Sequence, residues 1–148
     1  MSEQELNHEF FEQVRQDHEV LRTWLGKLHH ALTERSATAP DVAALFDGLI
    51  EHVDRHFEDE ENGGFFDQVV AQAPRFADRT TALRDDHVEL RKQVRGLAEV
   101  ARSAEASDAW WKQLDEGFHE FSKSLMHHEN LENELLQDTY DEDVGSKD

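Results

Sequence analysis

His52-Val53-Asp54-Arg55-His56-Phe57-Glu58-Asp59-Glu60 sets two imidazoles and a carboxylate four residues apart. On a helix that interval returns side chains to one face, and such a face can hold a metal. The pair His56-x-x-x-Glu60 recurs as His128-Glu129-Asn130-Leu131-Glu132, 72 residues downstream. Each pair also follows a matched segment. Asp17-His18-Glu19-Val20-Leu21-Arg22 agrees with Asp86-His87-Val88-Glu89-Leu90-Arg91 at four of six positions. One half of the chain therefore resembles the other. Two such hairpins folded together would set His18, His56 and Glu60 opposite His87, His128 and Glu132.

Working outward, period-two alternation is missing, and the few Gly and Pro residues fall between segments. The first predicted helix, about Gln4 to Glu34, carries Phe11, Val14, His18, Leu21, Leu25, Leu28 and Leu32 in steps of three and four. Pro40 suits the first turn of a second helix, about Asp41 to Glu61, whose seam passes from Val42, Leu45 and Leu49 into His52, His56 and Glu60. Gly63-Gly64 ends or bends it, and Phe65 to Val70 is a short helical piece. A third helix, about Ala77 to Ala104, sets His87 among Leu83, Leu90, Val94 and Leu97. A fourth, capped by Ser107 or Asp108, runs to about Asp138 through Trp111, Leu114, Phe118, Phe121, Leu125, His128, Glu132 and Leu135. The expected fold is all-α, an up-down-up-down four-helix bundle with a metal site in its core. Residues 1–138 form the bundle, and 139–148 are expected to be an acidic, disordered tail.

The 148 residues suit one domain. Against 15 Lys and Arg stand 34 Asp and Glu, a formal net charge of −19. That balance argues against nucleic acid and against anionic membranes, both of which require clustered positive charge. Cysteine is absent, so any transition metal must be held by nitrogen and oxygen. The N-terminus has no basic start or apolar run, and no segment approaches a membrane span. A cytoplasmic location is the expectation.

Imidazole and carboxylate placed in a core cost several kcal/mol each unless hydrogen-bonded, charge-paired or metal-bound. All four helices carry such groups on their seams. Two metal ions would resolve this, with Glu60 and Glu132 each able to bridge both, and the donor set suits iron, manganese or zinc. His52 is a further candidate ligand, although its counterpart in the second half is Ser124. Five His over two metals would leave one position open to a small ligand. His29, His30, His127, His8 and His119 lie beside or outside the seam and read as surface residues. Asp17, Asp86, Arg22 and Arg91 are either supports of the ligands or surface ion pairs. The zinc-protease pattern His-Glu-x-x-His is missing, and Glu5/His8 and Glu116/His119 lack the inward Glu partners of a ferritin-like site.

Taken together, Asp17-His18-x-x-Leu21-Arg22, His56-x-x-x-Glu60-Glu61, Asp86-His87-x-x-Leu90-Arg91 and His128-x-x-x-Glu132 resemble the bacterial hemerythrin-like HHE domains. The resemblance spans about Asn7 to Leu136. It implies two non-haem iron ions bridged by two carboxylates and an oxo or hydroxo group, with His18, His56, His87 and His128 as terminal ligands and Glu60 and Glu132 as the bridges. Members that bind oxygen reversibly have a fifth His one turn from the first on the third helix. Leu83 and Arg91 occupy those turns here, which makes His52 the candidate substitute. The implied function is binding of dioxygen, another diatomic or peroxide for storage, delivery or sensing, more a binding protein than a dedicated enzyme. The alternatives are an enzyme or stress-response protein acting on peroxide or nitric oxide, and iron storage or release. No redox partner is legible in the sequence.

Overall fold

The computed structural model describes residues 3–103 and 105–145. Four long helices and one short helix account for nearly all of them: α1 (Glu3–Glu34), α2 (Ala39–Asn62), α3 (Phe65–Gln72), α4 (Ala77–Ser103) and α5 (Asp108–Gly145), with a 3-10 turn at Pro74–Phe76. Among the described residues there is no strand, and no helix is long and apolar enough to cross a membrane.

Local chemistry sets the boundaries. Thr38 caps α2, its hydroxyl accepting from the Asp41 amide at 3.2 Å, with Pro40 in the first turn. Ser107, the first of the two candidates, caps α5 by accepting from the Trp110 amide at 3.1 Å. Between α2 and α3 the chain reverses through Gly64 at φ 110°, a left-handed conformation that a side chain would strain.

α1 packs on α2 and α5, and α4 packs on the same two, so the long helices form a four-membered ring. Partner numbers fall in one helix as they rise in its neighbour: Arg91 meets Glu61, Arg95 meets Asp54 and Arg102 meets Asp47, while Arg22 meets Glu129 and Arg35 meets Asp108.

Two apolar clusters fill the interior. The larger runs from Leu32, Phe46, Ala101 and Trp110 to Leu21, Phe57, Leu90 and Leu125. The smaller gathers Phe11, Val14, Leu83, Leu135 and Leu136 around Phe65, Phe66 and Val69 of α3, so that the short helix plugs one end of the bundle. His18, His56, Glu60, His87, His128 and Glu132 are all buried. By their places on the helices they form a layer between the clusters.

One boundary departs from expectation. α5 does not end near Asp138 in a disordered tail; it continues helical to Gly145. Leu135 and Leu136 anchor it in the smaller cluster, and Thr139 is fully buried with its hydroxyl donating to the Leu135 carbonyl at 2.7 Å. Beyond that, Arg75 pairs with Glu142. Acidic composition does not free a helix whose inner face still has something to cover. The last part of the expected tail, 146–148, lies outside the described residues.

Candidate metal centre

The six matched residues converge. The ligand atoms of His18, His56, Glu60 and Glu132 all lie within 4.8 Å of one another, as do those of Glu60, His87, His128 and Glu132. Glu60 and Glu132 belong to both sets. Glu60 Oε1 is 3.4 Å from His56 Nε2 and 3.2 Å from His87 Nε2. Glu132 Oε1 is 3.2 Å from His18 Nε2, 3.3 Å from His128 Nε2 and 3.9 Å from His56 Nε2. Each carboxylate thus reaches from one His pair to the other.

Two of the outward ring nitrogens are hydrogen-bonded, and the other two face a carboxylate without a hydrogen bond. His18 Nδ1 donates to Asn133 Oδ1 at 3.1 Å, and His128 Nδ1 donates to Asp86 Oδ2 at 3.2 Å. At 3.5 Å, His56 Nδ1 faces Asp17 and His87 Nδ1 faces Glu61. Ionised carboxylates accept and cannot donate, so they favour the tautomer with the proton on Nδ1. That leaves the Nε2 lone pair pointing inward, as a metal ligand requires.

Without a cation this interior is poorly matched. His87 Nε2 and His128 Nε2 are 3.1 Å apart, and both oxygens of Glu60 and Oε2 of Glu132 are buried with no hydrogen-bond partner. Burial pushes His87 down to about 2 and His128 down to about 4, the latter against the pull of Asp86, so both are neutral. Burial acts downward on His56 as well, but the carboxylates of Asp17 and Glu132 prevail and raise it to about 9. Orphaned carboxylate oxygens beside inward-facing imidazoles are a donor set suited to a divalent transition metal.

Aromatic rings wall the His87 side. Phe57 stacks on His87 at 3.7 Å between centroids and 7° between planes, and Phe66 of α3 lies 5.6 Å away at 28°. Arg91 passes over Phe57 and bonds Asp54 and Glu61, which in turn faces His87. Asp17, Asp86 and Arg91 therefore support the centre, while Arg22 points to a different group, Glu129, at 3.6 Å.

His52 is not gathered with the others. Successive steps of four on a helix overshoot a full turn by about 40°, so position 52 stands about 80° around from position 60 and about 12 Å along the axis. Its half-buried ring packs instead on Trp24, with centroids 5.2 Å apart. The expected fifth imidazole is absent from both four-group sets, and Leu83 is buried in the smaller cluster. Among the remaining His, 29, 30, 119 and 127 are exposed, and the side chain of His8 lies outside the described residues.

Two participants escaped the sequence reading. Asn133 holds His18 from the position that matches Glu61, a signal present in the repeat itself. Glu129 is fully buried, and burial raises its carboxyl above the ordinary range against the opposing influence of His18 and Arg22. Its place at the position matching Phe57 marks it as interior.

The hemerythrin HHE cation-binding domain model matches residues 9–140, which include all six converging residues. Among curated proteins and among solved structures, nothing matches the chain significantly. The family match and the buried His and Glu sets agree on cation binding. The chain belongs to the hemerythrin HHE cation-binding domain family.

Proposed function

We propose that the protein holds two non-haem irons and binds dioxygen or a related small ligand for storage, delivery or sensing. The observation that carries this reading is the sharing of Glu60 and Glu132 between two four-group sets, since a carboxylate common to two sets is what a pair of ions needs. His18 and His56 would hold one ion, and His87 and His128 the other. An up-down-up-down path of the long helices, supported by the opposite numbering of paired residues, aims all four imidazoles at one layer. When bound, a pair of irons supplies redox electrons and Lewis acidity for a small ligand.

Asn133 and Asp86 hold the tautomers of His18 and His128 by hydrogen bonds, the carboxylates of Asp17 and Glu61 favour the same tautomer in His56 and His87, and the rings of Phe57 and Phe66 restrict water beside His87. Two imidazoles for each ion leave fewer protein nitrogens than the five-His pattern of oxygen carriers. This favours, as the second reading, chemistry on peroxide or nitric oxide over simple carriage.

Metal analysis of iron-replete protein, followed by anaerobic reduction and oxygen titration under visible spectroscopy, tests both readings. Two irons per chain and a reversible oxygen-dependent absorption band support oxygen binding. Two irons with irreversible oxidation, and repeated turnover of peroxide or nitric oxide that is lost in His56→Ala, support the second reading. Fewer than two metals per chain under replete conditions overturns the di-iron proposal.

A further inference from the structure

Of the four converging imidazoles, His56 is the least tied. His18 is hydrogen-bonded from outside the layer by Asn133 and His128 by Asp86, and His87 lies flat against Phe57. Neither nitrogen of His56 has a hydrogen bond, and no ring lies flat on it: His18 meets it edge-on at 4.9 Å, and Phe57 is tilted at 6.0 Å. Behind it, between α1 and α2, is a cavity of about 180 Å³ whose walls include Asp17, Val20, His52, Asp59 and His56 itself. That is several times the roughly 30 Å³ share of one water. Val20 and Asp59 are exposed, whereas His56 is 4% exposed, so the cavity leads from the surface to the back of a buried ligand.

We propose that this cavity is the passage through which a divalent metal ion enters and leaves the centre, with the His56 ring turning aside into it to let the ion by. This rests on the two-metal reading above. Turning His56 breaks no hydrogen bond, whereas His18 and His128 would each lose one and His87 would have to leave its stacking partner. The walls suit a cation more than a diatomic gas, because Asp17, His52 and Asp59 bring oxygen and nitrogen donors that can stand in for water an ion sheds. Among the described residues none of these three belongs to a set close enough to hold an ion by itself, which suits passage over retention. Arg55, on the same wall, is drawn out to Glu51 at 3.2 Å. His52 thus lines the approach to the centre instead of the centre.

The chain has no cysteine, so a single introduced thiol can be labelled alone. Val20→Cys carrying a bulky maleimide narrows the cavity, Val20→Ala widens it, and Val88→Cys with the same label, at an exposed valine next to His87, is the control. Chelator-treated full chain is mixed anaerobically with ferrous iron and quenched at intervals in a colorimetric ferrous chelator to follow uptake. Dilution of loaded protein into the same chelator follows release, and equilibrium titration gives affinity and stoichiometry. Labelled Val20→Cys should take up and release iron at least about tenfold more slowly, a rise of about 1.4 kcal/mol in the barrier, with affinity and two irons per chain unchanged. Val20→Ala should quicken both rates, and labelled Val88→Cys should change neither. Unchanged rates in labelled Val20→Cys, at two irons per chain, overturn the passage and leave the two-metal reading intact. So does a weakened affinity at an unchanged uptake rate, since the label would then disturb the centre itself, and so does equal slowing in labelled Val88→Cys. A wild type that takes up no iron overturns both. Val20→Phe replaces the labelled Val20→Cys protein if the latter does not fold, with the same expected slowing.

Discussion

Replacing Glu60 by Gln should reverse its effect on stability according to whether metal is bound. The Glu60 side chain is 1% exposed, and neither oxygen accepts a hydrogen bond. In the absence of metal, His87 is neutral and presents an Nε2 lone pair to Glu60, while the His56 imidazolium, 3.4 Å from Glu60, answers to Asp17 and Glu132 as well. A carboxylate with both oxygens buried and without a hydrogen-bond partner is costly to hold in a core. An amide of the same shape removes that charge and offers N–H donors to the nearby nitrogens. Relief of an unsatisfied buried group is worth about 1–3 kcal/mol. For a domain near this size that corresponds to a rise of roughly 3–9 °C in the melting temperature of chelator-treated protein. With metal the order inverts. Each ion present at about 100 times its Kd adds about 2.7 kcal/mol to the wild type, and Gln, a poor bridge, forfeits much of that gain at both positions. Thermal unfolding followed by circular dichroism, in chelator and in anaerobic ferrous iron, reads both signs. A Glu60→Gln protein that loses as much stability in chelator as in iron would refute the reasoning, because Glu60 would then be a node of a structural hydrogen-bond network.

Chelator-treated protein should be most stable near pH 6.5. On acidification the unfolded chain protonates His87 and His128 near their ordinary values while the native chain resists, so stability should fall by up to about 2.7 kcal/mol per pH unit between pH 6.5 and 4. Above pH 6.5 the native chain keeps the His56 proton to about 9, and that contribution should be lost as pH rises through this value. Urea titrations across pH check both limbs, and stability that climbs from pH 6.5 to 9 would contradict the His56 assignment. Phe57→Ala should cost about 3–5 kcal/mol in a denaturant titration, because the ring is fully buried and stacked on His87. In Gly48→Ala a Cβ would overlap the Trp24 ring, so a loss of about 1–3 kcal/mol and a changed tryptophan emission are expected.

The bundle and six of its buried polar residues were legible because both follow from periodicity. Seam positions recur every three or four residues, and His or Glu on a seam has to be interior, so the repeat located His18, His56, Glu60, His87, His128 and Glu132 together. Periodicity failed where rotation accumulates. His52 shares the four-residue spacing yet drifts toward Trp24, because spacing along the chain does not register the angular overshoot of each step. It also failed for Glu129, whose acidic side chain reads as surface until Phe57 is seen in the matching place. The end of α5 was misjudged for a related reason: composition describes an average over residues, whereas Thr139 is placed by the cluster beneath it.

The ligand layer lies between two apolar clusters, the smaller of them closed by α3. Each cluster gathers residues from both ends of the chain, so neither half-sequence constitutes a folding unit by itself. Between them stands a layer of ionisable groups whose compatibility depends on a cation. Metal occupancy therefore bears on the cooperativity of unfolding as well as on its free energy. An occupied layer should let the α3 end share the global barrier, and emptying it should lower the cost of opening that end, from which side solvent would then reach the centre.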